Sequence, residues 1–214
     1  MLKYFRLLLV LMATLIPLPG ALLAAEYSSS SGIEFQYPDS WVAVSAATLD
    51  LIPGPERDYI REKGIDLNSM EACVLDTAPD EFAENLNVVA TPGQNATNER
   101  NLAKAVGEIR KMYEQAGIPV RSLTGKVVQA AGRSCYEIDQ LTTIQGNNLH
   151  QKQLIIPGGG QTFFVTLTTL DMKHDQYVSV MEKVKATLQV PALRGGFDWG
   201  QVGIPAWSGE SWGV

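Results

Sequence analysis

Histidine and cysteine each occur only twice in the 214 residues, Lys and Arg together number 17 against 23 acidic residues, and no apolar run is long enough to cross a bilayer. Each shortage removes a class of function. A formal net charge of −6 argues against nucleic acid and anionic membrane surfaces as partners, because both are held through concentrated Lys and Arg. Neither His150 nor His174 has a second His or a Cys at metal-ligand spacing, so the sequence names no zinc finger and no helical metalloprotease pair. The two read as exposed polar residues, with a paired role across the fold as the minor reading. Gly158 to Gly160 lack the Lys and the helix start of a phosphate-cradling loop, and read as a hairpin turn. The carboxylates of 76–81 with Glu84 match no EF-hand spacing, which favours a solvated acidic loop over a hard-cation site. Ser134 falls at a strand start, where a turn hydroxyl is expected rather than a nucleophile. Asn95-Ala96-Thr97 fits a glycosylation acceptor, which matters only in a host that glycosylates. No catalytic, cofactor-binding or metal residue is assigned from the sequence, and no cofactor is expected.

The N-terminus is organised as an export signal. Lys3 and Arg6 precede an apolar run from Leu7 to Ile16, which Pro17, Pro19 and Gly20 break before the small residues Ala24 and Ala25. Spanning the hydrocarbon takes about 20 apolar residues, so residues 1–25 read as a cleavable signal peptide and no membrane span is expected after cleavage. Ala24 and Ala25 are both candidate ends, and no Cys stands nearby for lipoprotein modification. Cleavage removes Lys3 and Arg6, leaving 15 basic against 23 acidic residues and a net charge of −8. The remaining chain suits a single core over 26–190, followed by a tail at 191–214.

Along the core, Ile33, Phe35 and Tyr37 alternate with Glu34 and Gln36 as a half-buried strand does, and Pro38 ends it. Asp39 and Ser40 then read as a turn, and Trp41, Val42 and Val44 as a second strand closing a hairpin. Pro55 to Gly64 suits a short helix. Two strand-like runs follow, around Met70 to Thr77 and Glu84 to Pro92. Leu102, Val106, Ile109, Met112, Tyr113 and Ala116 recur at three and four, which predicts a long helix stopped by Gly117 and Pro119. Strands are expected at 120–130, 134–144, 149–156 and 162–170, joined by short turns and so paired as an antiparallel meander. One face of the last strand, with Phe163, Val165 and Leu167, is expected to be more heavily covered than the Thr-rich other. A final helix begins near Lys173 and carries Tyr177, Val180, Met181, Val184 and Leu188 before Pro191.

The opening Gly32, Ile33, Phe35, Tyr37, Pro38 and Trp41, with this element order, resembles the PsbP-like α/β/α sandwich superfamily over roughly Gly32 to Val190. That group takes in photosystem II extrinsic proteins, Ran-binding Mog proteins and DcrB-like bacterial envelope proteins. The resemblance implies an α+β fold: a central, mainly antiparallel β-sheet of about six to eight strands, flanked by two long helices and one short helix. It also implies a non-catalytic accessory or binding role and supplies no site residues. An export signal and an acidic domain look most like the bacterial envelope branch, with another envelope protein or a small ligand as partner.

Three further expectations follow from the residues. An oxidising compartment permits a disulfide between Cys73 and Cys135, the alternative being two small buried residues in separate strands. The tail holds six glycines, two prolines, Phe197 and three of the four tryptophans, Trp199, Trp207 and Trp212. It either folds back to shield apolar surface, which the cost of exposed Trp favours, or anchors a partner. Function reads as an exported accessory or binding protein of the envelope, periplasmic or secreted. The rivals are an envelope hydrolase built from distant residues, such as His150 or His174 with an Asp, and a structural unit that self-associates through the tail. The processed protein is expected to begin at Ala25 or Glu26; N-terminal sequencing of exported material checks this, and a retained Met1 end would contradict it.

Overall fold

Residues 24–45, 70–76, 82–94, 96–144 and 146–193 are described in the computed structural model. The chain runs β1 (Ala24–Ser28), β2 (Glu34–Pro38), β3 (Trp41–Val44), β4 (Ala72–Asp76), β5 (Asn85–Pro92), α1 (Glu99–Gln115), β6 (Val120–Ala130), β7 (Arg133–Ile144), β8 (Asn147–Gly158) and β9 (Gln161–Leu170). A 3-10 turn (Asp171–Lys173) and α2 (His174–Thr187) complete it. Seven strands form one antiparallel sheet in the order β3-β4-β5-β9-β8-β7-β6, while β1 and β2 make a separate ribbon. The expected meander from β6 to β9 is present. It is closed on its inner side by β9 pairing with β5, so the crossover through α1 carries the chain from mid-sheet to the far edge.

Among the described residues each face of the sheet receives one helix. Helix α1 starts where the Asn98 side chain accepts a hydrogen bond from the Asn101 N–H, and ends before Gly117 at φ 70°, a conformation that favours glycine. Its stripe of Leu102, Val106, Ile109 and Tyr113 packs on Leu123, Tyr136, Ile138, Ile155 and Phe164. Gly125 on β6 lets the helix come this close: a Cβ there would lie 2.9 Å from both Ile138 Cδ1 and Val106 Cγ2. On the opposite face Val180, Met181 and Val184 of α2, with Leu188 beyond it, cover Leu154, Ile156, Phe163, Val165 and Leu167. The ribbon's Ile33, Phe35 and Tyr37 join that larger core, as does Trp41. The sandwich of sheet and helices is therefore as expected, with two helices and one 3-10 turn among the described residues; the short helix expected at 55–64 lies outside them.

One strand pairing differs from the sequence reading. The strand at 34–38 does not close a hairpin with Trp41–Val44: β2 pairs β1, and β3 pairs β4 with Trp41 opposite Asp76. Pro38 has no N–H with which to continue a ladder, and the apolar side of β2 lies beside α2, with Glu34 bridging to Gln189. Phe163, Val165 and Leu167 are the more completely covered face of β9, and Thr162, Thr166 and Thr168 on the other are buried nearly as far. Cys73 and Cys135 are free thiols and do not form the disulfide the compartment would permit. They sit on β4 and β7 with β5, β9 and β8 between them. They also point to opposite faces: Cys135 lies in the α2-side core together with Ala72 and Val74, the residues flanking Cys73 on its strand. Burial pushes Cys73 up to about 12 and Cys135 up to about 11, which keeps both as unreactive thiols at neutral pH. Replacing Gly125→Val is expected to cost about 1–3 kcal/mol by overpacking the α1 contact, read from the midpoint of urea unfolding against wild type.

Candidate functional site

Short turns set the register of the meander, and the register gathers polar residues that are far apart in sequence. Asp139 on β7 stands opposite Lys152 on β8, and His150 stands opposite Thr169 on β9. Residues two apart on a strand share a face, so Asp139, His150, Lys152 and Thr169 all point to the side covered by α2. Asp139 and His150 are diagonal neighbours across the pair, within side-chain reach. Beyond β9 the 3-10 turn reverses the chain, and α2 opens with His174 set over His150. The chain's two imidazoles stack with centroids 3.4 Å apart and planes 16° from parallel.

Both carboxylates of this cluster address His150. Its Nε2–H donates to Asp139 Oδ1 at 2.8 Å, and its Nδ1 lies 3.8 Å from Asp171 Oδ1. Lys152 Nζ is 3.9 Å from the other Asp139 oxygen, and an Arg121 guanidinium nitrogen is 3.5 Å from Asp171 Oδ2. Thr169 Oγ1 lies 3.5 Å from His174 Nδ1 and donates to the His150 carbonyl. His174 is 7% exposed, while the His150 side chain keeps 16% of its surface in solvent. Burial pushes His174 below the ordinary histidine range, and the nearby His150 ring and Lys152 ammonium push the same way, against Asp139 and Asp175. The arrangement presents two nitrogen bases and a carboxylate at one end of the sheet, with a partly open edge.

Two residues along β7, Glu137 is buried on the same face between Lys126 Nζ at 2.8 Å and Lys185 Nζ at 2.7 Å. Burial pushes its carboxyl up, but the two ammonium groups outweigh this and hold it below the usual carboxylate range. On the other face Gln140 donates to Tyr113 Oη and to Gln151 Oε1, each at 2.6 Å, and Gln151 donates to Thr168 Oγ1 at 3.2 Å. Both groups are internally paired and read as structural.

In the sequence His150 and His174 read as exposed polar residues, with a paired role as the minor reading, and no motif selects Asp139. What signal there was lay in the turn at Gly146: a short turn at that point places Asp139 opposite Lys152, hence beside His150. Nothing in the spacing told that the helix after β9 would return His174 over the same spot. Gly209-Glu210-Ser211-Trp212-Gly213 has the letters of a serine elbow, but the residues before it lack the strand pattern that such an elbow needs. That stretch lies outside the described residues, as do Phe197, Trp199, Trp207 and Trp212. The tail's first residues are described and anchored. Arg133 donates to the carbonyls of Pro157 at 2.8 Å and Pro191 at 3.0 Å, and the Gly159 N–H donates to Ala192 O at 3.0 Å. This anchor sits at the β8–β9 turn, at the other end of β8 from His150 and about 26 Å along the strand from it.

No protein-family profile matches the chain, and no curated protein matches it in sequence. Its fold matches solved structures. The solution structure of cyanobacterial PsbP (CyanoP) from Synechocystis superimposes with a TM-score of 0.53 at 16% identity, over 80% of this chain and 95% of that one. A crystal structure of LpqN, described as involved in cell envelope biogenesis of Mycobacterium tuberculosis, superimposes with a TM-score of 0.47 at 14% identity, over 80% and 92% of the two chains.

The depressed His174 carries a sign for stability. Unfolded, its imidazole binds a proton near pH 6.5; folded, it resists that proton, so its contribution is present above about pH 6.5 and lost as pH falls through the lower folded value. His174→Gln is expected to flatten the fall in unfolding free energy below about pH 6.5, and an unchanged slope in denaturant titrations would show that other groups carry it.

Proposed function

We propose, from the PsbP-like fold that this chain adopts, that it is an exported, non-catalytic accessory protein of the cell envelope that binds its ligand or partner at the His150–His174 end of the sheet. The export signal at residues 1–25 and the acidic balance support the envelope setting. The observation that carries the binding site is the convergence of the only two imidazoles of the chain on Asp139, with one ring reaching solvent.

The hydrolase alternative is weaker on geometry. Asp139 and His150 resemble an orienting pair, but Thr169, the hydroxyl within reach of His174, is fully buried and already donates to a backbone carbonyl. A nucleophile must meet its substrate, and this one is sealed. No helix among the described residues is long and apolar enough to cross a membrane.

Crosslinking in cells tests the reading. The wild-type protein is expected to capture a defined envelope partner or to retain a small ligand, and the double variant His150→Asn, His174→Gln to lose it while remaining folded. Capture that is indifferent to the histidines but abolished by deleting 191–214 would move the site to the tail; turnover that depends on His150 would replace the accessory reading with the enzymatic one.

A further inference from the structure

Three donors from three separate elements converge beside the stacked rings: a carboxylate from β7, an imidazole from β8 and an imidazole from the first residue of α2. The ligand atoms of Asp139, His150 and His174 all lie within 4.8 Å of one another. We propose that these three residues form a binding site for a divalent transition-metal ion of the Zn2+ type, which deepens the reading above by naming the ligand class of the same site and rests on it.

The donor set selects the metal class. Two imidazole nitrogens and one carboxylate oxygen suit borderline ions such as Zn2+, whereas Ca2+ and Mg2+ prefer all-oxygen shells. Two nitrogens bound to one tetrahedral ion at about 2.0–2.1 Å stand roughly 3.3 Å apart, and the ligand atoms here already lie within 4.8 Å of one another. The lone pairs of parallel rings do not converge, so binding requires the rings to splay away from their 16° alignment. His150 lies at the partly open edge and is the ring that turns.

The proton between His150 Nε2 and Asp139 Oδ1 holds that pair at 2.8 Å. An ion takes the place of this proton, which passes to Nδ1 as the neutral imidazole changes tautomer: Nε2 and Oδ1 become ligands, and the ring carries its single proton on Nδ1. That nitrogen faces Asp171 Oδ1 at 3.8 Å, and Arg121 lies 3.5 Å from Asp171 Oδ2. A carboxylate behind the metal-bound imidazole is the usual orienting partner of such a ligand. His174 binds through Nε2, since its Nδ1 lies beside Thr169 Oγ1 at 3.5 Å. Three protein ligands leave a fourth position for water or a partner's side chain, the pattern of an open rather than a sealed site. Lys152, 3.9 Å from Asp139 Oδ2, opposes the ion's charge and keeps the site weaker than a closed four-ligand one.

The experiment uses the full exported chain, stripped of metal with a chelator and titrated with ZnCl2 by calorimetry while the imidazole nitrogens are followed by 15N spectroscopy. With only two histidines in the chain, each ring nitrogen is resolved without substitutions. One Zn2+ per chain is expected, with the Nε2 resonances of both rings moving to coordinated values. His150→Asn, His174→Gln and Asp139→Asn are each expected to weaken uptake at least tenfold. The proposal is overturned if the wild type takes up no stoichiometric Zn2+, or if uptake leaves both imidazoles unshifted. His150→Asn, at the part-exposed ring, disturbs the packing least, and an unchanged affinity in it also overturns the site. Failure here is distinguishable from failure of the accessory role: partner capture lost in the histidine variants without Zn2+ uptake leaves that role intact with another ligand, and Zn2+ uptake without histidine-dependent capture leaves the metal site alone.

Discussion

The register between β8 and β9 is the constraint on which the rest depends. Side chains along a strand alternate in direction, so a slip of one residue would turn Leu154 and Ile156 away from Phe163, Val165 and Leu167 and place Gln153 and Gln151 under α2. The apolar face of these two strands is the centre of the larger core, and its burial holds the register against such a slip. The same register decides chemistry at the end of the sheet. With Leu154 facing α2, His150 four residues earlier must face it too, and Thr169 opposite it forms the floor beneath His174.

Helix α2 links the two ionic groups of that face. It begins at His174, over His150 and Asp139, and its last turn places Lys185 on the buried carboxylate of Glu137. A charge taken out of water needs a partner close by, and Glu137 has two. One end of α2 is therefore tied by an ion pair and its middle by Val180, Met181 and Val184, while its first residue rests on a polar cluster with a solvent edge. The apolar and ionic contacts that hold α2 are thus concentrated away from the histidines. At the far end Arg133 ties the exit of the tail to the β8–β9 turn, so whatever the tail contributes starts from a position remote from the imidazoles.

Much of the fold could be read from the residues, and the reason is local. Helix α1 announced itself through a stripe repeating at three and four and through the stop at Gly117 and Pro119; the meander announced itself through alternation and short turns at Gly132, Gly146 and Gly159. The hairpin of β2 with β3 was misread because Asp39 and Ser40 make a turn whichever partner each strand takes, and turn chemistry carries no information on whether the flanking strands pair. The cysteines follow the same logic. Their burial was foreseeable from residue type, but sheet order and facing, which forbid the bridge, are set by β9 returning to β5 across an intervening helix and three strands.

By itself the sequence determined the local elements and the acidic balance, because periodicity and turn residues act over a few neighbours; the likeness to a PsbP-like sandwich rested on the opening Gly32 to Trp41 together with that element order. Only the tertiary structure decided the site. Asp139, His150 and His174 come from two strands and a helix, and no spacing along the chain encodes their meeting; it results from the pairing register of the meander together with the direction in which the turn at Asp171–Lys173 sends α2 back across the sheet.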